Sequence, residues 1–148
     1  MPTTPWGRLT ATTDVFGLTL TYGYDNANRV TEVDDSKGGV LTNAYDNADR
    51  LTMREFGGAG QTQALVSLTY SARDELTGVT RYNDVAMSTL AGTTSYSYDD
   101  AGRTAAITAK NAAGATLSYY NYALDQREPG DARELGQRCV QRDAHVRL

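Results

Sequence analysis

Tyrosine, aspartate and arginine recur together in this chain at a fixed internal spacing. Their side chains suit three kinds of chemistry: a phenol stacks on sugars, a carboxylate takes cations or amide protons, and a guanidinium holds anions. The strongest copies are Tyr24-Asp25-Asn26-Ala27-Asn28-Arg29, Tyr45-Asp46-Asn47-Ala48-Asp49-Arg50 and Tyr98-Asp99-Asp100-Ala101-Gly102-Arg103. Weaker copies cover 3–8, 70–75 and 122–127, the last opening on Tyr122 and closing on Arg127. The tyrosines at 24, 45, 70, 98 and 122 are separated by 21, 25, 28 and 24 residues. The separation varies while the six-residue core holds, so the rule is local, and turn geometry is the first local rule to consider.

The elements that must position these residues follow from the other places in the core. The residue before the closing position is Gly7, Asn28, Asp49, Asp74, Gly102 or Gln126. Five of these six are types that tolerate positive φ. The residue after the tyrosine position is Thr4, Asp25, Asp46, Ser71 or Asp99, with Ala123 the exception. Such short side chains accept a hydrogen bond from the backbone two residues on and so start a turn. The unit therefore predicts a hairpin loop, a type I turn followed by one left-handed residue, over 25–28, 46–49, 71–74 and 99–102. Before the turns, Leu18, Leu20, Tyr22 and Tyr24 alternate with period two, as do Val66, Leu68 and Tyr70, then Thr94, Tyr96 and Tyr98, then Ser118, Tyr120 and Tyr122. That is the signature of strands with unlike faces. A second set of turns has the form Asx-x-x-Gly, at Asp14–Gly17, Asp35–Gly38 and Asn111–Gly114. Each repeat is thus two strands and two turns, and the expected fold is all-β: antiparallel hairpin repeats forming a curved meandering sheet of about ten strands.

Composition agrees. The chain has 148 residues, with 10 Tyr against 2 Phe and 1 Trp, a bias toward pleated, half-buried surfaces. Net charge is -4 and no basic stretch is present, which argues against nucleic acid as a partner. No apolar run has the length of a membrane span, and the first residues lack the pattern of a signal peptide. Cys139 stands alone, so neither a disulfide framework nor a cysteine metal site is expected. Cys139, Asp143 and His145 lie close in sequence but without the strand or glycine-rich context that builds an oxyanion hole, so no thiol hydrolase is read from them. The tyrosines and aspartates read as structural: Tyr packs across strands and Asp caps the turn. Arg29, Arg50 and Arg103 are expected to pair with carboxylates on adjacent strands. Neither enzyme activity nor a cofactor nor a metal is expected.

The pattern Tyr-Asp-x-x-(Gly/Asn/Asp)-Arg-(Leu/Val)-Thr, returning every twenty or so residues, resembles the Rhs, or YD-repeat, proteins. The stretches from Tyr24 to Val33, Tyr45 to Arg54 and Tyr98 to Thr108 match closely, and 70–79 is a degenerate copy. The resemblance implies a structural module: the family's repeats coil as a β-ribbon into a hollow shell, which in bacterial members encloses a C-terminal toxin. It also implies further YD repeats of the same or a longer chain and an enclosed toxin domain as partners, and a secreted or cell-surface location. About five repeats are too few to close a shell, so the chain reads as a piece of one. The rival reading is an adhesive β-repeat whose exposed tyrosines contact glycans. The pattern stops at Arg127, which sets a repeat region over 1–127 against a polar tail over 128–148, expected to be disordered or weakly helical.

Overall fold

The structure, a computed structural model, describes residues 7–124 and the backbone of residues 140–141. The expectations for Gln126, Arg127, the tail, and the trio of Cys139, Asp143 and His145 therefore lie outside the described residues. The described residues form strands and turns with no helix: β1 (Ala11–Thr13), β2 (Thr19–Tyr24), β3 (Val30–Asp35), β4 (Val40–Tyr45), β5 (Leu51–Gly57), β6 (Ala64–Tyr70), β7 (Leu76–Tyr82), β8 (Leu90–Tyr98), β9 (Thr104–Asn111), β10 (Thr116–Ala123) and the short β11 (Val140–Gln141). Strand order in the sheet follows chain order from β1 to β11, as a meander of repeats requires. The chain divides into two compact units, 1–68 with 80–91, and 69–79 with 92–148.

In the first unit, antiparallel pairing sets Tyr22 opposite Val33, Val33 opposite Leu41 and Leu41 opposite Phe56. One face thus carries an aromatic–aliphatic row. The other carries Glu32, Thr42, Glu55 and Leu65 in register. The second unit repeats the apolar row with Tyr96, Ile107 and Tyr120. Tyr22 and Tyr96 each stand two residues before a turn tyrosine, so the same position in the repeat supplies the row in both units. Among the described residues the buried apolar side chains are Leu65 and Val79. Most strand side chains are half-buried. Backbone ladders, turn bonds and cross-strand contacts carry the fold where a packed core would in a two-layer domain.

The anticipated turns are present. Asn28, Asp49, Asp74 and Gly102 have φ of 66°, 62°, 64° and 76°, and Gly7 has 74°. In each complete copy the left-handed residue donates its N–H to the carbonyl at the start of the turn, as Asn28 does to Asp25 at 3.1 Å. Strand register shifts beside the turn, between Gly23 and Tyr24, Ala44 and Tyr45, and Ser97 and Tyr98. That is the bulge such a loop demands. The Asx-x-x-Gly turns have the same backbone: Gly17, Gly38 and Gly114 sit at φ of 80°, 91° and 79° with the equivalent bonds. The sequence suggests two turn classes; the structure has one backbone turn in two chemical versions, with or without the closing arginine.

Among the described residues the first strand of the sheet is β1, and the far side of β10 is partly paired, Tyr122 with Gln141 and Ala123 with Val140. The loop after β7 is closed by its own hydrogen bonds. Asn83 N–H reaches Thr89 O at 2.9 Å, and the Asp84 carboxylate accepts from the Ser88 and Thr89 amides at 2.9 and 2.6 Å and from the Ser88 hydroxyl at 3.0 Å.

Candidate functional site

The repeated side chains meet at the junctions between successive turns. Within one turn, the aspartate does three jobs. Asp25 Oδ1 accepts from the Ala27 and Arg29 amides, both at 2.9 Å, while its Oδ2 holds the Arg29 guanidinium at 2.7 Å. Asp46 repeats this with Ala48 and Arg50, and Asp99 with Ala101 and Arg103. The anticipated pairing with carboxylates on adjacent strands is therefore wrong for these contacts. Each arginine first closes its own turn, because the left-handed residue reverses the chain and brings residue i+4 back over the aspartate.

Between turns, the arginine reaches forward. The Arg29 guanidinium lies 4.8 Å above the Tyr45 ring centroid, and its Nη1 donates to Asp46 O at 3.1 Å and to Asp49 Oδ1 at 2.7 Å. Arg8 does the same one repeat earlier: it sits 4.7 Å over the Tyr24 ring and donates to Asp25 O at 3.4 Å and Asn28 Oδ1 at 2.9 Å. The tyrosine reaches backward. The hydroxyls of Tyr24, Tyr45 and Tyr98 donate to the carbonyls of Leu9, Val30 and Leu76 at 2.7–2.9 Å. Each acceptor is the residue just after a closing position. The junctions at Tyr24 and Tyr45 thus combine a cation–π contact with a tyrosine hydroxyl bond, and the junction at Tyr98 keeps the hydroxyl bond.

Arg8 is the residue that sequence reasoning passed over, although a signal existed: positions 8, 29 and 50 are evenly spaced by 21 residues. The side-chain role of Asn28 and Asp49 was also missed, because tolerance of positive φ already accounted for them. Tyr122 lies in β10, half-buried, and pairs with Gln141. A cleft of about 350 Å³ is lined by Arg8, Tyr24, Asp25, Asn26 and Asn28, and four of these five already take part in the junction. Among the described residues, no buried side-chain nitrogen or oxygen lacks a partner and no cluster of three His, Cys, Asp or Glu is placed to hold a metal.

The electrostatics follow the geometry. The backbone amide of Arg29, then its side chain, hold the Asp25 carboxyl below its ordinary value. The Arg50 guanidinium and amide do so for Asp46, and the Arg103 amide for Asp99. Asp84 is held lowest, at about 2, chiefly by the Ser88 amide. A carboxylate whose folded pKa is depressed contributes stability that is complete above its unfolded value, about 3.9, and lost as pH falls through the folded value. The turns are therefore expected to be fully formed at pH 5 and above and to loosen progressively from about pH 4 downward. The 83–89 loop should persist until about pH 2. Turn-amide exchange that stays constant from pH 5 to pH 2, after correction for intrinsic rates, would contradict this.

A pair of substitutions separates backbone from side chain at the left-handed position. Gly102→Val puts a β-branched residue at φ 76° and is expected to cost about 1–3 kcal/mol. Asn28→Gly keeps the backbone but removes the Arg8 acceptor, so the expected loss is about 0.5–1 kcal/mol where turn propensity alone predicts none. Urea unfolding ranks the two, and equal losses would refute the assignment.

Residues 4–40 match the RHS repeat family model. No curated protein matches the chain at a significant level. Among solved structures, the chain is similar to one described as TcdB2-TccC3-Cdc42, with 27% identity, a TM-score of 0.61 and 73% of this chain covered. It is similar to TcdB2-TccC3-TEV at 26% identity, TM-score 0.61 and the same coverage. It also resembles a chain of the Photorhabdus luminescens Tc holotoxin pore at 25% identity and TM-score 0.59, again over 73% of this chain. It spans about 5% of the length of each of these chains. The turn geometry of the matched segment recurs beyond it, at 46–50, 71–75 and 99–103, in the same form.

Proposed function

We propose that this chain is wall rather than catalyst: a length of YD-repeat β-shell whose role, together with further repeats, is to enclose a toxin domain in a secreted or cell-surface particle. One observation carries the reading. The groups that looked most like a ligand ladder are spent on neighbouring repeats: three turn tyrosine hydroxyls donate to backbone carbonyls of the preceding repeat, and Arg8 and Arg29 clasp the following turn. A surface built to hold sugars would leave such groups directed at solvent. The likeness to chains of TcdB2-TccC3 assemblies supports the same reading.

The partners are then other YD repeats and an enclosed polypeptide. We assign no catalytic step to the chain. The test begins with the DNA flanking the coding region, expressed together with it. Further in-phase Tyr-Asp repeats, and a hollow particle by electron microscopy that shields a C-terminal segment from protease, are the expected result. A product without additional repeats that binds defined sugars on a glycan array would replace this reading with the adhesive one.

A further inference from the structure

The junction at Tyr98 breaks the regular pattern in a coordinated way. Its closing residue upstream is Glu75 where the other turns have arginine, and its left-handed residue is Gly102, which has no side-chain acceptor. Inside the 71–75 turn the polarity is reversed. Ser71 Oγ accepts from the Arg73 and Glu75 amides at 3.1 and 3.3 Å, as aspartate does elsewhere, but its hydroxyl then donates to Glu75 Oε2 at 2.9 Å. Arg73, two residues before the closing position, makes the forward reach instead. It donates to Asp99 O at 3.5 Å and Asp100 O at 3.2 Å, and its Nη2 lies 3.5 Å from Glu75 Oε1. Asp99 O is the equivalent of Asp25 O and Asp46 O, the carbonyls that Arg8 and Arg29 hold in the regular junctions. The guanidinium has been kept on that carbonyl while the residue supplying it has moved.

We infer that neighbouring turns recognise one another by a charge rule, in which an arginine-closed turn accepts a following turn with Asn or Asp at the left-handed position, whereas the Ser71–Arg73–Glu75 turn accepts one with Gly102. The physical reason is at that site. A Cβ placed on Gly102 would lie 3.5 Å from Glu75 Oε1. Aspartate there, the residue found at position 49 opposite Arg29, would set one carboxylate against another. The Tyr98 hydroxyl registers the same reversal: desolvation first, then the Glu75 charge, push its pKa up. The consequence is that repeats of this chain are not interchangeable, and their order is written in the turns.

The test uses the complete chain and hydrogen exchange at the amides of 99–103. Gly102→Asp and Gly102→Asn impose nearly the same backbone demand and differ in charge. With Ser71 and Glu75 in place, Asp is expected to lose about fivefold more protection than Asn. In the S71D/E75R background, which writes the regular turn into this place, the order should reverse. Arg73→Met should lower protection at 99–103 while leaving 25–29 unchanged. A constant Asp-to-Asn ratio in both backgrounds, an S71D/E75R/G102D chain that fails to fold, or an unaltered 99–103 turn in Arg73→Met would each overturn the rule.

Discussion

Gly58→Ala is expected to be among the most damaging single-methyl additions to this chain, costing about 3 kcal/mol or more. Two costs coincide. Gly58 sits at φ 116°, outside the range of L side chains, and a Cβ there would fall on the Gly38 carbonyl oxygen and within 3.3 Å of Val40 N. The second contact is with the backbone of a paired strand, which has no soft direction to move in: Val40 is held opposite Gly57. Gly60→Ala is the control, since Gly60 also has positive φ, 76°, but open space where its Cβ would go. About 1 kcal/mol is expected there. Equal shifts in the urea midpoints of the two variants would show that backbone conformation alone, not close approach, decides the cost.

The second large effect concerns the chain in solution. Purified alone, it is expected to self-associate at micromolar concentration. Among the described residues β1 has a strand partner on one side only, and a strand edge is a template for another chain. The row Tyr22, Val33, Leu41 and Phe56 is half-buried at best, with Phe56 at 36% exposure, and Val15 and Phe16 at a hairpin tip are more than 90% exposed. Apolar surface of this kind is worth about 25 cal/mol for each Å² that association removes from water. Light scattering across a dilution series reads the result directly. A monodisperse monomer at every concentration would mean that the sheet faces are covered within the chain, and the shell-wall reading would give way to a self-contained β-domain.

The parts of the fold that sequence made legible are those decided within four or five residues. Asn28, Asp49, Asp74 and Gly102 announce positive φ because few other residues tolerate it, and all four adopt it. Asp25, Asp46 and Asp99 announce the turn because a carboxylate reaches the amide two residues on. What stayed hidden depends on register between strands. The reach of Arg29 to Asp49 spans 20 residues, and nothing local says which carboxylate a guanidinium will meet. The 70–75 copy looked merely degenerate, since the value of Ser71, Arg73 and Glu75 is apparent only with the Tyr98 turn laid beside them. The loop over 83–89 hid for another reason: its Asp84 cap spans five residues where the repeat leads one to expect four.

The strand order has a consequence for how the molecule is made. Each strand in the β1-to-β10 run finds its partner in the segment synthesised immediately before it, so loop-closure entropy is small at every step and no strand waits for a distant one. A ribosome delivers the hairpins in the order in which they stack, and each new turn finds the preceding one ready for its tyrosine. Growth of this kind resembles the extension of a zipper from a fixed end, with energetics that add neighbour by neighbour. A single faulty hairpin would then stall the zipper at its own position and leave the earlier hairpins folded.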